Sequence, residues 1–151
     1  MGLKQTVLMG WLFVVGIAFA EETKIQFKDL PPAVQAAVKA QSQGATVKGY
    51  SKEIENGKTE YEVRLLVGGK KRDVSFDPEG TVLETEEVVA FGSVPERAQD
   101  AIKKQAAGAK VEQVEKVTSD RATVYEALVR QNGKKREVRV LENGEKAPSE
   151  D

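Results

Sequence analysis

The sequence repeats itself after 64 residues, and this duplication limits the possible folds more than any other feature. Residues 27–87 align without a gap with residues 91–151, and 20 of the 61 aligned pairs are identical. The identical pairs include Phe27/Phe91, Pro31/Pro95, Gln35/Gln99, Gly44/Gly108, Tyr61/Tyr125, Arg72/Arg136 and Gly80/Gly144. Self-similarity at a fixed period is typical of one structural unit used more than once. The sequence therefore predicts two copies of one unit, joined near residues 88–92.

Each unit is predicted to begin with a helix. The spacing i, i+3, i+4, i+7 of a helix face is carried by Val34, Ala37, Val38 and Gln41, and again by Ala98, Ala101, Ile102 and Gln105. Ser93 and Glu96 have the spacing of a capping box, and Asp29 takes the place of Ser93 in the first copy. Gly44 and Gly108 suit a left-handed position at the end of each helix.

The rest of each unit is predicted to form strands. In the first copy the predicted strands are residues 46–54, 60–67, 70–77 and 81–90. Alternation is clear from residue 60 onward and poor in the first strand, where a β-bulge is expected. Turn signals separate the strands at Asn56-Gly57, at Gly68-Gly69 and at Asp77–Gly80. The unit is thus one α-helix followed by a four-stranded antiparallel meander. The last strand of the second copy is weak, and a short edge strand or frayed tail is expected there.

Residues 1–20 have the pattern of a secretory signal peptide. Lys4 is their only charge, and an almost wholly apolar run of 15 residues ends in Ala18-Phe19-Ala20. A membrane anchor is the alternative, but a spanning helix needs about 20 apolar residues. Cleavage is expected between Ala20 and Glu21, which would leave the protein in the periplasm or secreted. The predicted domains are a signal peptide (1–20), a first repeat (21–90) and a second repeat (91–151).

These patterns predict an α+β fold class: two tandem repeats after an N-terminal signal peptide, each one α-helix followed by a four-stranded antiparallel β-meander. The amino-acid composition then limits the classes of function that are expected. The chain has no His and no Cys, and 23 Lys and Arg balance 24 Asp and Glu. A nucleic-acid partner is not expected, because such proteins need a basic excess. An enzyme is not expected either, because the remaining carboxylates, Lys, Ser and Tyr form no recognisable catalytic group.

No cofactor or metal is predicted. Glu84, Glu86 and Glu87 form an acidic run, but a calcium site needs six or more oxygen ligands at defined loop spacing. The run is instead interpreted as a solvated strand face. Tyr61 and Tyr125 are predicted to face the helices and join the core.

The order of the motifs resembles the PepSY-like domain family, a group named with beta-lactamase inhibitory protein. The resemblance covers residues 27–146 and is carried by Leu30-Pro31, Gly44–Val47, Tyr61–Val63, Lys70–Asp77 and Gly80, and by Val94-Pro95, Gly108–Val111, Tyr125–Ala127, Lys134–Val138 and Gly144. It implies exported bacterial proteins. Relatives in such a family include propeptide domains that inhibit secreted metalloproteases and tandem-domain inhibitors that grip an enzyme on a concave sheet.

The side chains predicted to face away from the helices are the candidate partner-binding surface. They are Glu60, Glu62, Arg64, Leu66, Lys71, Asp73 and Ser75 in the first unit, and Val124, Glu126, Leu128, Arg130, Lys135, Glu137 and Arg139 in the second. The alternative is that these charges only pair across strands and keep the face soluble. Leu66, Val124 and Leu128 are apolar exceptions that indicate a contact patch or the seam between the units.

The residue pattern leaves two functions open. The leading hypothesis is an exported non-enzymatic module that binds another exported protein and inhibits or modulates a secreted or periplasmic enzyme. The alternative is an envelope-associated structural or anionic-ligand-sensing protein that uses the duplicated clusters Lys70–Arg72 and Lys134–Arg136. Those clusters also fit a purely structural reading, because charges at hairpin starts discourage edge-to-edge aggregation. Membrane contact is expected only through an uncleaved signal, and the sequence does not indicate an oligomeric state.

Overall fold

A computed structural model describes residues 22–55 and 57–148 of the chain. Its elements are, in order, β1 (Thr23–Ile25), α1 (Pro32–Gln41), β2 (Thr46–Glu55), β3 (Lys58–Val67), β4 (Lys70–Phe76), β5 (Val82–Val89), α2 (Glu96–Ala106), β6 (Lys110–Ser119), β7 (Thr123–Gln131) and β8 (Lys134–Leu141). In these two ranges no helix is long and apolar enough to cross a membrane. The predicted signal peptide and its cleavage position, Ala20 and Glu21, lie outside the described residues.

The eight strands form one antiparallel sheet in the order of the sequence, from β1 to β8. Strand β5 pairs with β6 over six residues, from Glu84 opposite Ser119 to Val89 opposite Val114. The prediction of two repeats, each a helix with its own four-stranded meander, is therefore wrong. The physical reason is that the last strand of the first half would leave a row of unpaired backbone groups at its edge, and β6 satisfies them.

The two halves of the sheet are also unequal. Among the described residues the second half contributes three strands, because residues 142–148, after β8, pair with the sheet through an isolated bridge between Val140 and Lys146 and not through a ladder. Ala147, the one apolar residue of that segment, is buried, and its N–H donates to the carbonyl of Arg139 at 3.2 Å. A segment with so few apolar side chains has little surface to bury and does not extend into a full strand. The eighth strand is instead β1, which pairs with β2.

Both helices pack on one face of the sheet, each over its own strands. The core under α1 contains Leu30, Val34, Val38, Val63, Leu65, Val74 and Phe76. The core under α2 contains Val94, Ala98, Ile102, Ala106, Val114, Tyr125, Ala127, Val129, Val138 and Val140. Tyr125 is buried and Tyr61 packs half-buried against the first core, so both tyrosines lie where the sequence predicted.

Each helix begins after a 3-10 turn and a proline. Pro95 precedes the first residue of α2, and no side chain caps this end. The predicted capping box is wrong, because the hydroxyl of Ser93 donates within the 3-10 turn to the carbonyl of Ala90 at 2.7 Å. The side chain of Gln99 ties the helix to the turn by donating to the carbonyl of Val94 at 2.7 Å. The corresponding glutamine and carbonyl make the same contact 64 residues earlier.

Local turn chemistry follows the sequence closely. The bulge predicted in the first strand appears as a register shift between Val47 and Gly49. The Gly68–Gly69 turn has positive φ at both residues, as a hairpin of this type requires. In the next turn the N–H of Gly80 donates to the carbonyl of Asp77 at 3.0 Å. These turns set the strand register and therefore decide which side chains face away from the helices.

Candidate binding face of the sheet

Strand alternation directs every second side chain away from both helices, and we call this surface the helix-free face. All fourteen side chains predicted to face away from the helices lie on it. The register shows this directly: Val63 and Val74 pair on the helix side, so the neighbouring pair Arg64 and Asp73 points the other way. The same holds in the second half, where Ala127 pairs with Val138 on the helix side.

Strands β5 and β6 add side chains that the sequence did not assign to this face. They are Glu84, Glu86, Val88, Gln113, Glu115 and Val117. The reason for the omission is the pairing of β5 with β6, which places both strands in the middle of one sheet rather than at the edges of two. The reading of Glu84, Glu86 and Glu87 as one solvated face is corrected in the same way: Glu87 lies on the helix side, where its carboxylate meets Arg72 at 3.2 Å. Alternation within β5 was the signal that could have separated them.

One cross-strand row runs through the centre of the helix-free face. Its members, in order from β3 to β7, are Arg64, Asp73, Glu86, Val117 and Val124. Neighbouring strands lie about 4.8 Å apart, so Asp73 and Glu86 are direct neighbours. Glu115 is one step further along β6 and diagonal to Glu86. We call Asp73, Glu86 and Glu115 the carboxylate centre.

A second row beside it alternates hydroxyl and carboxylate groups. From β2 to β6 its members are Ser51, Glu62, Ser75, Glu84 and Ser119. Ser51 is fully buried, and its hydroxyl has no hydrogen-bond partner among the described residues. The two rows together make the β2–β6 part of the face predominantly acidic.

The carboxylate centre is buried to an unusual degree for charged groups. Asp73 and Glu115 are 7% and 5% exposed. The Nζ of Lys71 lies 2.6 Å from one oxygen of Asp73, whereas the other oxygen, Oδ1, is buried without a hydrogen-bond partner. Burial lowers the pKa of Lys71, but the hydrogen bond and charge of Asp73 outweigh it and raise that pKa overall. For the acidic side chain of Glu115, burial has the opposite effect and raises the pKa.

The pKa of Glu86 is shifted far from the ordinary value of a glutamate. Burial raises the pKa of Glu86 to about 8, and the negative charges of Glu115 and Glu84 add to the effect. Lys71 opposes the shift, but it does not cancel it. The centre of the sheet thus brings three carboxyl groups together beside two cations, Lys71 and Arg64, and this crowding keeps Glu86 protonated up to about pH 8.

Glu62, in the second row, behaves similarly. Burial raises the pKa of Glu62 to about 7, with a further contribution from the charge of Asp73. The Nε of Arg64 lies 3.5 Å from the Glu62 carboxylate and favours its ionised form. Both titrating groups therefore lie in strands next to Asp73.

The far side of the face, on β7 and β8, is locally neutralised. Arg139 Nε lies 2.7 Å from Glu126, and Arg130 Nε lies 2.6 Å from Glu112. Lys135 also approaches Glu112, at 3.6 Å. These contacts match the cross-strand charge pairing that the sequence offered as the alternative interpretation, and they contrast with the carboxylate centre.

The two basic clusters do not converge. Alternation places Lys71 and Lys135 on the helix-free face but Arg72 and Arg136 on the helix side. Arg72 donates to the side chain of Gln41 at 3.1 Å. Arg136 donates to backbone carbonyls at the end of α2, at 2.7 and 2.9 Å. On the helix-free face an anion would therefore meet one lysine of each cluster, already paired, rather than three adjacent cations.

The three apolar exceptions lie half-buried on the helix-free face. Val124 adjoins Val117, which is buried, and together they extend the central row beyond Glu86. The seam between the halves is formed by β5 and β6, so Leu66, Val124 and Leu128 belong to the face and not to the seam. Among the residues that the structure describes, no group of three or more potential ligands is placed to hold a metal ion.

Comparison with known proteins identifies the family. Residues 18–68 and 59–145 match the family model described as "Putative beta-lactamase-inhibitor-like, PepSY-like". The chain belongs to the PepSY-like family. The resemblance inferred from the motifs is thereby confirmed. No curated protein matches the chain.

Solved structures from Bacteroides share the fold of this PepSY-like chain. A BLIP-like protein from Bacteroides fragilis is 22% identical, with a TM-score of 0.61 over 79% of this chain and 84% of that chain. A DUF2874 family protein from Bacteroides ovatus is 18% identical, with a TM-score of 0.63 over 79% and 85%. A protein from Bacteroides eggerthii, described as "putative periplasmic", is 18% identical, with a TM-score of 0.65 over 79% and 86%. None of these descriptions names an enzymatic activity.

Proposed function

We propose that this PepSY-like chain is an exported, non-catalytic module that docks another exported protein on its helix-free face and thereby modulates or inhibits it. The observation that carries this proposal is the face itself. Eight strands present their outward side chains in one continuous surface, while both helices lie on the other side.

The composition of that face supports a protein partner. Leu66, Val124 and Leu128 lie half-buried on this face beside charged side chains, and protein interfaces combine a more apolar core with a polar rim. The outward face of eight strands also offers a large contact area, and a stable interface needs about 800 Å² per partner. The family description and the BLIP-like relative from Bacteroides fragilis point in the same direction.

Export is part of the same proposal. The signal-like pattern of residues 1–20 supports it, and so does the description of the Bacteroides eggerthii protein as periplasmic. Binding of an anionic envelope polymer receives no comparable support, because the basic clusters are split between two faces and four of their six members, Lys71, Arg72, Lys135 and Arg136, already contact other groups.

Capture of exported proteins by matched variants tests this function. We would compare the unmodified protein with Ser75→Arg, which places a large side chain at the centre of the helix-free face. The matched control is Ala40→Arg, which adds the same charge on the exposed side of α1. We expect a partner that the unmodified protein and the control retain and Ser75→Arg loses. That partner's activity would then be assayed with and without the module. Equal capture by all three proteins, or by none, would contradict the proposal.

A further inference from the structure

We propose that the partner places a cationic side chain, a lysine or an arginine, against the carboxylate centre, between Asp73 and Glu86. This inference rests on the proposed function and names the chemistry that the docked protein brings to the middle of the face.

The carboxylates of Asp73 and Glu86 lie side by side at the centre of the helix-free face. Asp73 and Glu86 are direct cross-strand neighbours in the ladder of β4 and β5. Like charges directly opposite each other destabilise a sheet, whereas opposite charges there stabilise it. Glu115 adds a third carboxylate on the next strand, diagonal to Glu86. Burial and the neighbouring carboxylates raise the pKa of Glu86 to about 8, and a cation between the strands would favour its ionised form and put attraction in place of that repulsion.

One oxygen of Asp73 has no hydrogen-bond partner among the described residues. Lys71 contacts Oδ2 of Asp73 at 2.6 Å, but Oδ1 is buried and has no hydrogen-bond partner among the described residues. The Asp73 side chain is only 9% exposed, so this oxygen gains little from bulk water. A buried polar atom without a partner is costly, and a charged donor from outside would satisfy it.

Apolar side chains lie on both sides of the carboxylate centre. The carboxylate centre lies in the middle of the sheet, with Leu66 on one side and Val124 and Leu128 on the other. Interface residues that dominate binding lie centrally and are ringed by side chains that exclude water, and arginine is enriched among them on the partner. The guanidinium carries five donors in a planar fork and can serve more than one carboxylate at once.

A small cationic probe tests the recognition without knowledge of the partner. The full chain would be expressed with ¹⁵N label, purified from the compartment that it reaches, and titrated with N-acetyl-arginine amide. N-acetyl-citrulline amide has nearly the same shape without the charge and serves as the matched probe. A third titration uses calcium chloride. Amide chemical shifts of Asp73, Glu86 and Glu115 report the helix-free face, and those of Arg72 and Glu87 report the other.

We expect saturable shifts on the helix-free face with the arginine probe and none with the citrulline probe. Glu86→Gln should weaken binding about tenfold, because a charge-assisted contact is lost while the pair of Lys71 and Asp73 stays intact. Asp73→Asn should have a similar effect. Glu87→Gln, one residue along the same strand but on the helix side, should leave binding unchanged. Equal shifts with both probes, or equal loss in Glu87→Gln, would overturn the proposal, as would tighter binding of calcium at the same amides.

The same variants separate this inference from the proposed function. Partner capture that survives Glu86→Gln and Asp73→Asn but is lost in Ser75→Arg would overturn the cationic contact and leave docking on the face intact. Absence of any partner that depends on the face would overturn the function itself. Capture of the partner by the unmodified protein and by Glu87→Gln, with loss of capture in Glu86→Gln and Asp73→Asn, supports both the proposed function and the cationic contact.

Discussion

Gly80 and Gly144 show at the scale of single residues how the turns hold the helices in place. Both have positive φ, 83° and 85°, and both abut a helix. A Cβ on Gly80 would lie 2.7 Å from the carbonyl oxygen of Ala33, and one on Gly144 would lie 2.6 Å from that of Arg97. These distances are shorter than backbone atoms tolerate, so the strand-end turns and helices approach too closely for any other residue.

Alanine substitution at these glycines is predicted to destabilise the protein. Gly80→Ala and Gly144→Ala should each lower the free energy of unfolding by about 2–3 kcal/mol, from backbone strain together with the clash. Gly69→Ala is the matched control, because its φ is 80° but nothing lies within 4 Å of the added Cβ. Urea denaturation should show a smaller loss, about 1 kcal/mol, for the control. Equal losses at all three positions would contradict the close approach.

The displaced acidities of Glu62 and Glu86 predict a dependence of stability on pH. Burial raises the pKa values of these carboxyls in the folded protein to about 7 and about 8, from 4.5. Between pH 4.5 and about pH 8 the folded state therefore holds more protons than the unfolded state. The free energy of unfolding falls as the pH rises through that window. Since one pKa unit corresponds to about 1.4 kcal/mol, we expect a loss of at least about 2 kcal/mol between about pH 5 and about pH 8.

Denaturation curves of a neutral double variant supply the control. Glu62→Gln with Glu86→Gln carries no such titration, so its stability should vary less over this window, and it should exceed the unmodified protein at the alkaline end. Parallel pH profiles for the two proteins would show that these carboxyls are not held protonated by the fold.

Sequence reasoning worked well for residues whose environment is local and less well for the site. Periodicity placed Val34, Val38 and Ile102 in the core, and turn chemistry placed the hairpins. The raised pKa of Glu86 was not predictable, because it arises from burial in the middle of the assembled sheet and then from Glu115, on a strand 29 positions later in the chain. Alternation reports which face a side chain occupies, not which charges the sheet brings beside it.

At the scale of the elements, the end of α2 is fixed by a side chain from β8. Arg136 donates to the carbonyls of Gln105 and Ala106, at 2.7 and 2.9 Å. These carbonyls lack helical partners, and a cation there also interacts favourably with the helix dipole. Arg136→Gln is therefore predicted to lower the free energy of unfolding by about 1 kcal/mol. Lys134→Gln, on an exposed residue of the same strand, should change it little, and a urea titration in which both variants lose equally would contradict this role.

The existence and order of most elements could be predicted, whereas their assembly could not. The two helices, the bulge and the hairpin turns follow from spacing and from glycine positions. The pairing of β5 with β6 depends on two strand edges that are separated by a helix, and local alternation carries no information about such a partner. The capping box was wrong for a local reason, because the Ser93 hydroxyl donates to the carbonyl of Ala90 within the 3-10 turn.

At the scale of the whole molecule, a single sheet predicts a single unfolding transition. The six residue pairs between β5 and β6 join the two cores into one unit. Val34→Ala in the first core and Ile102→Ala in the second should each shift the same transition, the latter by about 2–5 kcal/mol. Hydrogen exchange should show both halves losing their slowest amide protection together. Two separate transitions would instead indicate independent units. So would amide protection that persists in one half of the sheet when the core of the other half carries the substitution.

The central claim is that a protein partner docks on the face of the sheet that carries no helix. Site-specific photo-cross-linking in the exporting host tests it most directly, with a photoreactive residue at Leu128 on that face and, for comparison, at exposed Lys104 on α2. We predict a discrete cross-linked protein from position 128 and none from position 104. No adduct from position 128, or equal adducts from both positions, would contradict the claim.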